Sequence, residues 1–196
     1  MPRVTALRPA RPGRVLVELD GERWRAIPLE VAARSGLTVG LELDRERLRR
    51  LRRELRRAEA LDAGARALAR RDRSAEGLKA LLERKGISAP EREEAIATLR
   101  RLGAVDDERL ARARAAALAE RGIGDDAIRV RLEQDGIAPE LAAQAVASLE
   151  PERDRAVALV ARRGAGPRTA RWLAGRGFTP DSIEAAVPAV AENGAP

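Results

Sequence analysis

The chain has 196 residues, of which 35% are charged and 44% hydrophobic, and it carries a net charge of +7. It contains neither cysteine nor histidine, which excludes disulfides, thiolate metal sites and catalysis that uses histidine as acid or base. Because it also shows no metal-ligand spacing, no glycine-rich phosphate loop and no apolar run of membrane-spanning length, we expect a cytoplasmic protein with no metal, no cofactor and no enzymatic activity.

The first part of the chain predicts a small antiparallel sheet. Residues 15–19 are rich in β-branched side chains, and residues 23–27 alternate polar and apolar side chains as a half-buried strand does. Between them lies Asp20-Gly21, a pair favoured in the type I′ turns that join two antiparallel strands. Residues 4–7 add a predicted third strand.

Two helices are predicted after this sheet. Residues 29–34 form a short helix that follows a proline and ends at Ser35-Gly36. Asp44 is a good N-cap for a longer helix, which we expect to end at about Leu61. Together with the sheet, these elements make residues 1–57 a predicted basic N-terminal β-hairpin and helix module.

This N-terminal module holds the whole excess of positive charge, because residues 1–57 contain 15 Arg and 8 Asp or Glu. A phosphate-facing or acidic-protein-facing surface and a solvated linker are both consistent with its long helix. A membrane-surface helix is disfavoured, because the apolar seam of Leu48, Leu51 and Leu55 includes no Trp or Phe. If the helix faces nucleic acid, the candidate contacts are Arg45, Arg49, Arg50, Arg52, Arg53, Arg56 and Arg57.

An internal repeat is anchored on three glycines, Gly86, Gly136 and Gly177. Apolar residues recur at the same distances from each glycine, at positions −21, −18, −4, +1, +10 and +13. The matched residues are Ala65, Ala115 and Ala156; Leu68, Leu118 and Leu159; Leu82, Leu132 and Leu173; Ile87, Ile137 and Phe178; Ile96, Val146 and Val187; Leu99, Leu149 and Val190.

These spacings predict three helices in each repeat. The glycine suits the left-handed position just past the end of the second helix, and a proline shortly after it suits the first turn of the third helix. One such unit buries too little apolar surface alone, so neighbouring units must stack. We therefore predict a mainly all-α fold, an elongated curved array of three-helix repeats at residues 58–105, 106–150 and 151–196.

Three-helix units with a glycine turn also raise the possibility of helix-turn-helix DNA readers. The ends that would face the phosphates are acidic instead, which disfavours reading of a duplex. Single-strand readers that stack bases need aromatic side chains, and the chain has only Trp24, Trp172 and Phe178, which we expect in the core. The acidic residues at those helix ends are Glu91, Glu93, Glu94, Glu140, Asp181 and Glu184.

Three stretches of the sequence resemble the RecX family of regulatory proteins. The segment ALARRDRSAE at residues 67–76 and the following KG resemble the family's opening helix pair. LGAVDDERLA at residues 102–111 resembles its LG-DDERFA signature, with Leu110 in place of the usual Phe. RGIG at residues 121–124 resembles its RGYG segment, with Ile123 in place of the aromatic residue. The resemblance spans residues 4–190.

The resemblance implies a regulator that binds RecA nucleoprotein filaments along the helical groove and inhibits filament growth, ATP hydrolysis and strand exchange, with consequences for DNA repair and the SOS response. It implies no cofactor, and we expect a monomer, with single-stranded DNA as a further partner. Two alternatives remain, a direct nonspecific or single-stranded DNA-binding protein acting through the basic module, and an unrelated helical scaffold. The candidate partner contacts are Arg70, Arg71, Arg73, Lys79, Arg84, Lys85, Asp106, Asp107, Arg109 and Arg121.

Overall fold

The computed structural model of the chain describes residues 1–193, with side-chain environments through Val187, and within this range the chain forms three strands and ten helices. It divides into two compact units. The first comprises Met1–Arg70 and Lys79–Ala104, and the second comprises Arg71–Leu78 and the chain from Val105 onward.

The first unit begins with a three-stranded antiparallel sheet in the order β1-β2-β3. Asp20 and Gly21 join β2 to β3 with positive φ angles of 50° and 87°, as a type I′ turn requires. Alternation along the strands buries Val4, Val17 and Ile27 completely. The predicted hairpin and third strand are therefore confirmed, as β1 (Val4–Pro9), β2 (Arg14–Leu19) and β3 (Glu22–Pro28).

Two helices of the first unit pack beside this sheet. α1 spans Leu29–Arg34 as predicted, and α2 spans Arg45–Leu68. The Asp44 carboxylate caps α2 by accepting a hydrogen bond of 2.7 Å from the Arg47 backbone. The predicted end of α2 near Leu61 is wrong, because the alanine-rich sequence that follows contains no proline and Gly64 is buried within the helix.

α3 (Ala75–Arg84) begins in the second unit and ends in the first, and α4 (Ala89–Arg101) belongs to the first. The predicted boundary between residues 57 and 58 lies inside α2, and the four-part domain division stays a prediction.

The second unit contains six further helices and two hydrophobic cores. One core is built on Ile128, Leu132 and Ala142, and the other on Val160, Leu173 and Phe178. The helices are α5 (Asp107–Glu120), α6 (Asp125–Gln134), α7 (Pro139–Ala147), α8 (Glu152–Arg163), α9 (Pro167–Ala174) and α10 (Pro180–Asn193).

The three repeat glycines all have the left-handed backbone that the alignment predicts. The φ angles of Gly86, Gly136 and Gly177 are 75°, 78° and 80°. The leucine four residues before each glycine is fully buried, which confirms that these positions are equivalent. These leucines are Leu82, Leu132 and Leu173.

The alignment is wrong at one position of the first repeat. Ala115 and Ala156 are fully buried, but Ala65 is exposed. The first helix of this repeat is the end of the long helix α2, whose buried face there is set by Ala60 and Ala63. A further aligned residue, Val190, lies outside the side chains that the structure describes.

Candidate functional site

Four of the seven candidate arginines of α2 form one exposed stripe. Arg45, Arg49, Arg52 and Arg53 follow one another at spacings that place them on the same side of a helix. Among the described residues none of the four lies within ion-pair distance of a carboxylate. This Arg stripe is therefore uncompensated positive charge on the surface of the first unit.

The other three candidate arginines of α2 are paired with acids. Arg50 contacts Glu46 at 2.9 Å, one turn earlier on the same helix. Arg56 contacts Glu91 at 2.9 Å, and Arg57 contacts a neighbouring glutamate of α4 at 2.8 Å. The exposed pair of Arg50 and Glu46 contributes little stability, but all three contacts neutralise the charge that these arginines would offer a polyanion.

The candidate contacts around α3 fall in both units. Arg70, Arg84 and Lys85 are exposed parts of the first unit, and Arg71 is an exposed part of the second. Lys79 of the first unit and Arg73 of the second are half-buried and engaged in contacts within the chain.

The two aspartates of the DDER segment cap helices. Asp106 accepts a hydrogen bond of 2.9 Å from the Arg109 backbone at the start of α5. Asp107 accepts one of 2.8 Å from the Ala75 backbone at the start of α3. The side chain of Arg109 is exposed, and so is that of Arg121, where α5 ends. Contact of any of these four side chains with a partner stays a prediction.

Asp107 belongs to an arrangement that occurs twice in the second unit and that we call a repeat joint. At each joint, residues of one repeat surround the N-terminus of the second helix of the preceding repeat. At the first joint, Ser74 is buried and donates a hydrogen bond of 2.5 Å to the carbonyl of Asp135. Arg114 completes it by pairing with Asp135 and donating to the carbonyl of Asp72.

The second joint uses the corresponding residues of the next two repeats. Gly124 takes the place of Ser74, and its backbone N–H donates a hydrogen bond of 2.9 Å to the carbonyl of Arg176. Glu152, the first residue of α8, takes the place of Asp107 and accepts a hydrogen bond of 2.6 Å from the Asp125 backbone. Both helix N-termini are thus capped by a carboxylate from the following repeat, where the helix dipole favours negative charge.

Arg155 is the central side chain of the second joint and is only 9% exposed. Its guanidinium donates hydrogen bonds of 3.0 Å to the carbonyls of Ile123 and Glu150 and pairs with the Asp125 carboxylate. It also lies 5.8 Å from the centre of the Phe178 ring. These hydrogen-bond and ion-pair partners all lie in the second repeat, so this buried cation of the third repeat links the two repeats.

The two carboxyls of this joint have pKa values shifted in opposite directions. Burial raises the pKa of Asp125, against the opposing pull of Arg155. Burial also acts to raise the pKa of Glu152, but hydrogen bonds from Thr179 and from the Asp125 backbone outweigh it and hold that pKa below its ordinary value. Thr179 donates to Glu152 through both its backbone N–H and its hydroxyl, at 3.0 and 2.6 Å.

The joints were not anticipated from the sequence, although a signal was present. An arginine comes directly before the same buried alanine position in two repeats, as Arg114-Ala115 and Arg155-Ala156. The alanines are recognisable as core positions, whereas the arginines before them resemble solvated surface charges.

The described residues offer no metal site and no membrane span. No group of three or more acidic side chains among them is arranged to hold a metal ion. No described helix is long and apolar enough to cross a membrane.

Solved structures with this fold include two of RecX proteins. A crystal structure of the regulatory protein RecX superimposes with a TM-score of 0.76 at 20% identity, over 95% of this chain and 98% of that one. RecX from Lactobacillus salivarius superimposes with a TM-score of 0.63 at 18% identity, over 70% of this chain and 97% of that one. No family model and no curated protein matches the sequence. The resemblance found in the sequence is thus confirmed at the level of the fold.

Proposed function

We propose that this chain, which has the fold of the RecX regulatory proteins, regulates RecA without enzymatic activity of its own. It binds RecA nucleoprotein filaments along the helical groove and inhibits filament growth, ATP hydrolysis and strand exchange. The observation that carries the proposal is the extent of the match, since the likeness to one RecX structure covers 95% of this chain, N-terminal sheet and repeats included.

The repeat joints support this proposal physically. In each joint the same kinds of group, an acid, an arginine and a glycine, dock one repeat onto the helix of the repeat before it. The second and third repeats lie in one unit, and repeats held in a fixed relation can present equivalent surfaces to successive subunits of a helical filament. Several weak contacts made together then give a high overall affinity through effective concentration.

The decisive experiment compares binding to the RecA filament with binding to each of its components. We expect the protein to sediment with RecA filaments assembled on single-stranded DNA more strongly than with free RecA or bare DNA. It should also slow the DNA-dependent ATP hydrolysis of RecA while hydrolysing no ATP itself. An unchanged RecA rate at saturating protein would contradict the proposal.

A second candidate function is direct DNA binding through the N-terminal module, and the Arg stripe favours it. Four exposed arginines without carboxylate partners among the described residues suit a phosphate backbone. Strong binding to bare DNA that weakens steeply with salt, without added inhibition of RecA, would favour this alternative over the first.

A further inference from the structure

The surface around α9 is unusual because it gathers arginines around a tryptophan. Trp172 is half-buried and packs at the edge of the core that includes Leu173. The guanidinium of Arg163 lies 4.1 Å from the centre of its ring, and that of Arg176 lies 4.5 Å from it. Both distances are within the range of cation–π attraction, so the indole holds two cations near each other.

α9 adds two more exposed arginines within four residues of Trp172. Arg168 and Arg171 are exposed and lie four residues and one residue before Trp172, whereas Thr169 and Leu173 on the other side are buried. α9 also has no acidic residue in its first turn. We call Arg163, Arg168, Arg171, Trp172 and Arg176 the α9 patch.

No carboxylate of the described residues forms an ion pair with any arginine of the α9 patch. The hydrogen bonds of Arg171 and Arg176 go to backbone carbonyls, those of Pro167 and Arg121. Arg163 and Arg176 converge on one indole, and cations held this near each other repel unless an anion compensates them. The patch is therefore a place where a polyanion would be attracted.

We propose that the α9 patch binds single-stranded nucleic acid. Arg168 and Arg171 contact phosphates, and bases stack on the guanidiniums of Arg163 and Arg176 that the indole holds in place. Guanidinium planes and aromatic rings are the surfaces on which unpaired bases stack, and a duplex does not offer its bases in this way. An acidic peptide would use the charges but has no need of flat stacking surfaces.

The test uses the full chain and a fluorescently labelled oligodeoxythymidine, without RecA, so that its outcome is independent of the proposed function. The first variant, R168Q/R171Q, removes two exposed charges. The second, W172L, keeps an apolar side chain at the edge of the core but removes the ring. The matched control, R131Q/R153Q, removes two exposed charges of the second unit that belong to neither the α9 patch nor the Arg stripe. Circular dichroism checks that each variant is folded.

We expect R168Q/R171Q to reduce the slope of log affinity against log salt by about 1.4, since each single-strand phosphate contact contributes about 0.7. W172L should weaken binding about tenfold, the loss expected when one stacked base is released. In a W24F background, where Trp172 is the only tryptophan, the oligonucleotide should quench its emission. R131Q/R153Q should leave that quenching unchanged.

Affinity and salt slope of R168Q/R171Q equal to those of the unaltered protein would overturn the proposal. So would Trp172 emission that does not change at saturating oligonucleotide. If both patch variants bind the oligonucleotide normally but inhibit RecA less, the patch contacts protein, and the assignment to nucleic acid is wrong. Equal affinity for a duplex and a single strand of the same length would also contradict it.

Discussion

Gly124 and Gly177 are in direct backbone contact where the second and third repeats meet. A Cβ atom added to Gly124 would lie 2.2 Å from the carbonyl carbon of Gly177, a separation that no packing permits. Gly124 itself has an ordinary φ of −80°, so the requirement for glycine is one of space and not of backbone conformation.

Replacing Gly124 with alanine should therefore destabilise the protein by forcing the two repeats apart. We expect a loss of about 1–3 kcal/mol or more in the free energy of unfolding, as for other overpacked sites. The matched control is G175A, because Gly175 has a helical φ of −65° and a Cβ there would meet no atom closer than 3.5 Å. Urea denaturation measures the free energy of unfolding of both variants. Equal values would show that the second joint accommodates the added methyl group without loss of stability.

Leu132 should be among the most costly residues to truncate. It is fully buried and equivalent to Leu82 and Leu173 in the other repeats. L132A should lower the free energy of unfolding by about 2–5 kcal/mol, because a cavity is left in the core. L102A is the control, since Leu102 is 72% exposed and its truncation should change stability little. A near-zero effect of L132A would mean that the core around it collapses to fill the space.

The second joint should make stability depend on pH in the acid range. The pKa of Glu152 is lowered in the folded state, so its ionised form stabilises the fold above the ordinary value of 4.5, and this contribution is lost as pH falls through the lower folded pKa. E152Q should thus be less stable than the unaltered protein at neutral pH, and the difference should shrink as the solution is acidified. Urea denaturation between neutral and acid pH measures it.

Asp125 provides a control of opposite sign. Its pKa is raised in the folded state, so its ionised form is disfavoured by the fold above that pKa, and the penalty is relieved as pH falls. The stability of the unaltered protein relative to D125N should accordingly rise on acidification. If the stability of the unaltered protein relative to E152Q and relative to D125N changed in the same direction with pH, the opposite pKa shifts of Glu152 and Asp125 would be contradicted.

The contribution of the Arg stripe is best tested by substitution in the full chain, because truncation after residue 57 would cut α2 in two. The variant R45Q/R49Q/R52Q/R53Q should flatten the salt dependence of binding to RecA filaments, by about 0.7–0.9 in log–log slope for each phosphate that is no longer neutralised. Inhibition should be weakened but present. A slope that stays unchanged would mean that the stripe is merely solvated.

Charge reversal of the exposed basic groups around α3 should harm inhibition more than removal of the Arg stripe. The groups lie in the stretch with the best match to the family's opening segment, and their side chains form no ion pair with a carboxylate among the described residues. RecA-dependent ATP hydrolysis measures the effect, with circular dichroism to confirm folding. If the reversed protein inhibits fully and the stripe variant does not, the assignments are the wrong way round. The groups are Arg70, Arg71, Arg84 and Lys85.

The local features of this protein could be predicted from sequence because a few neighbouring residues determine each of them. Asp20-Gly21 specifies the hairpin turn, Asp44 the start of α2, and Gly86 with its counterparts the ends of the second helices. In each case the cause, a positive φ or a capping oxygen, acts within four residues of its effect.

Only the tertiary structure decided which charges are free and which are buried. Arg56 meets Glu91, and Arg155 meets Asp125, across 35 and 30 residues of chain. Ala65 is exposed because α2 is one continuous helix from the N-terminal module into the first repeat, and Ala60 and Ala63 lie on its buried face. The repeat alignment does not show this continuity. The sequence alone determined where helices begin, turn and repeat, since those preferences are local. The pairing of an arginine depends on what packing brings near it, and that is a property of the whole fold.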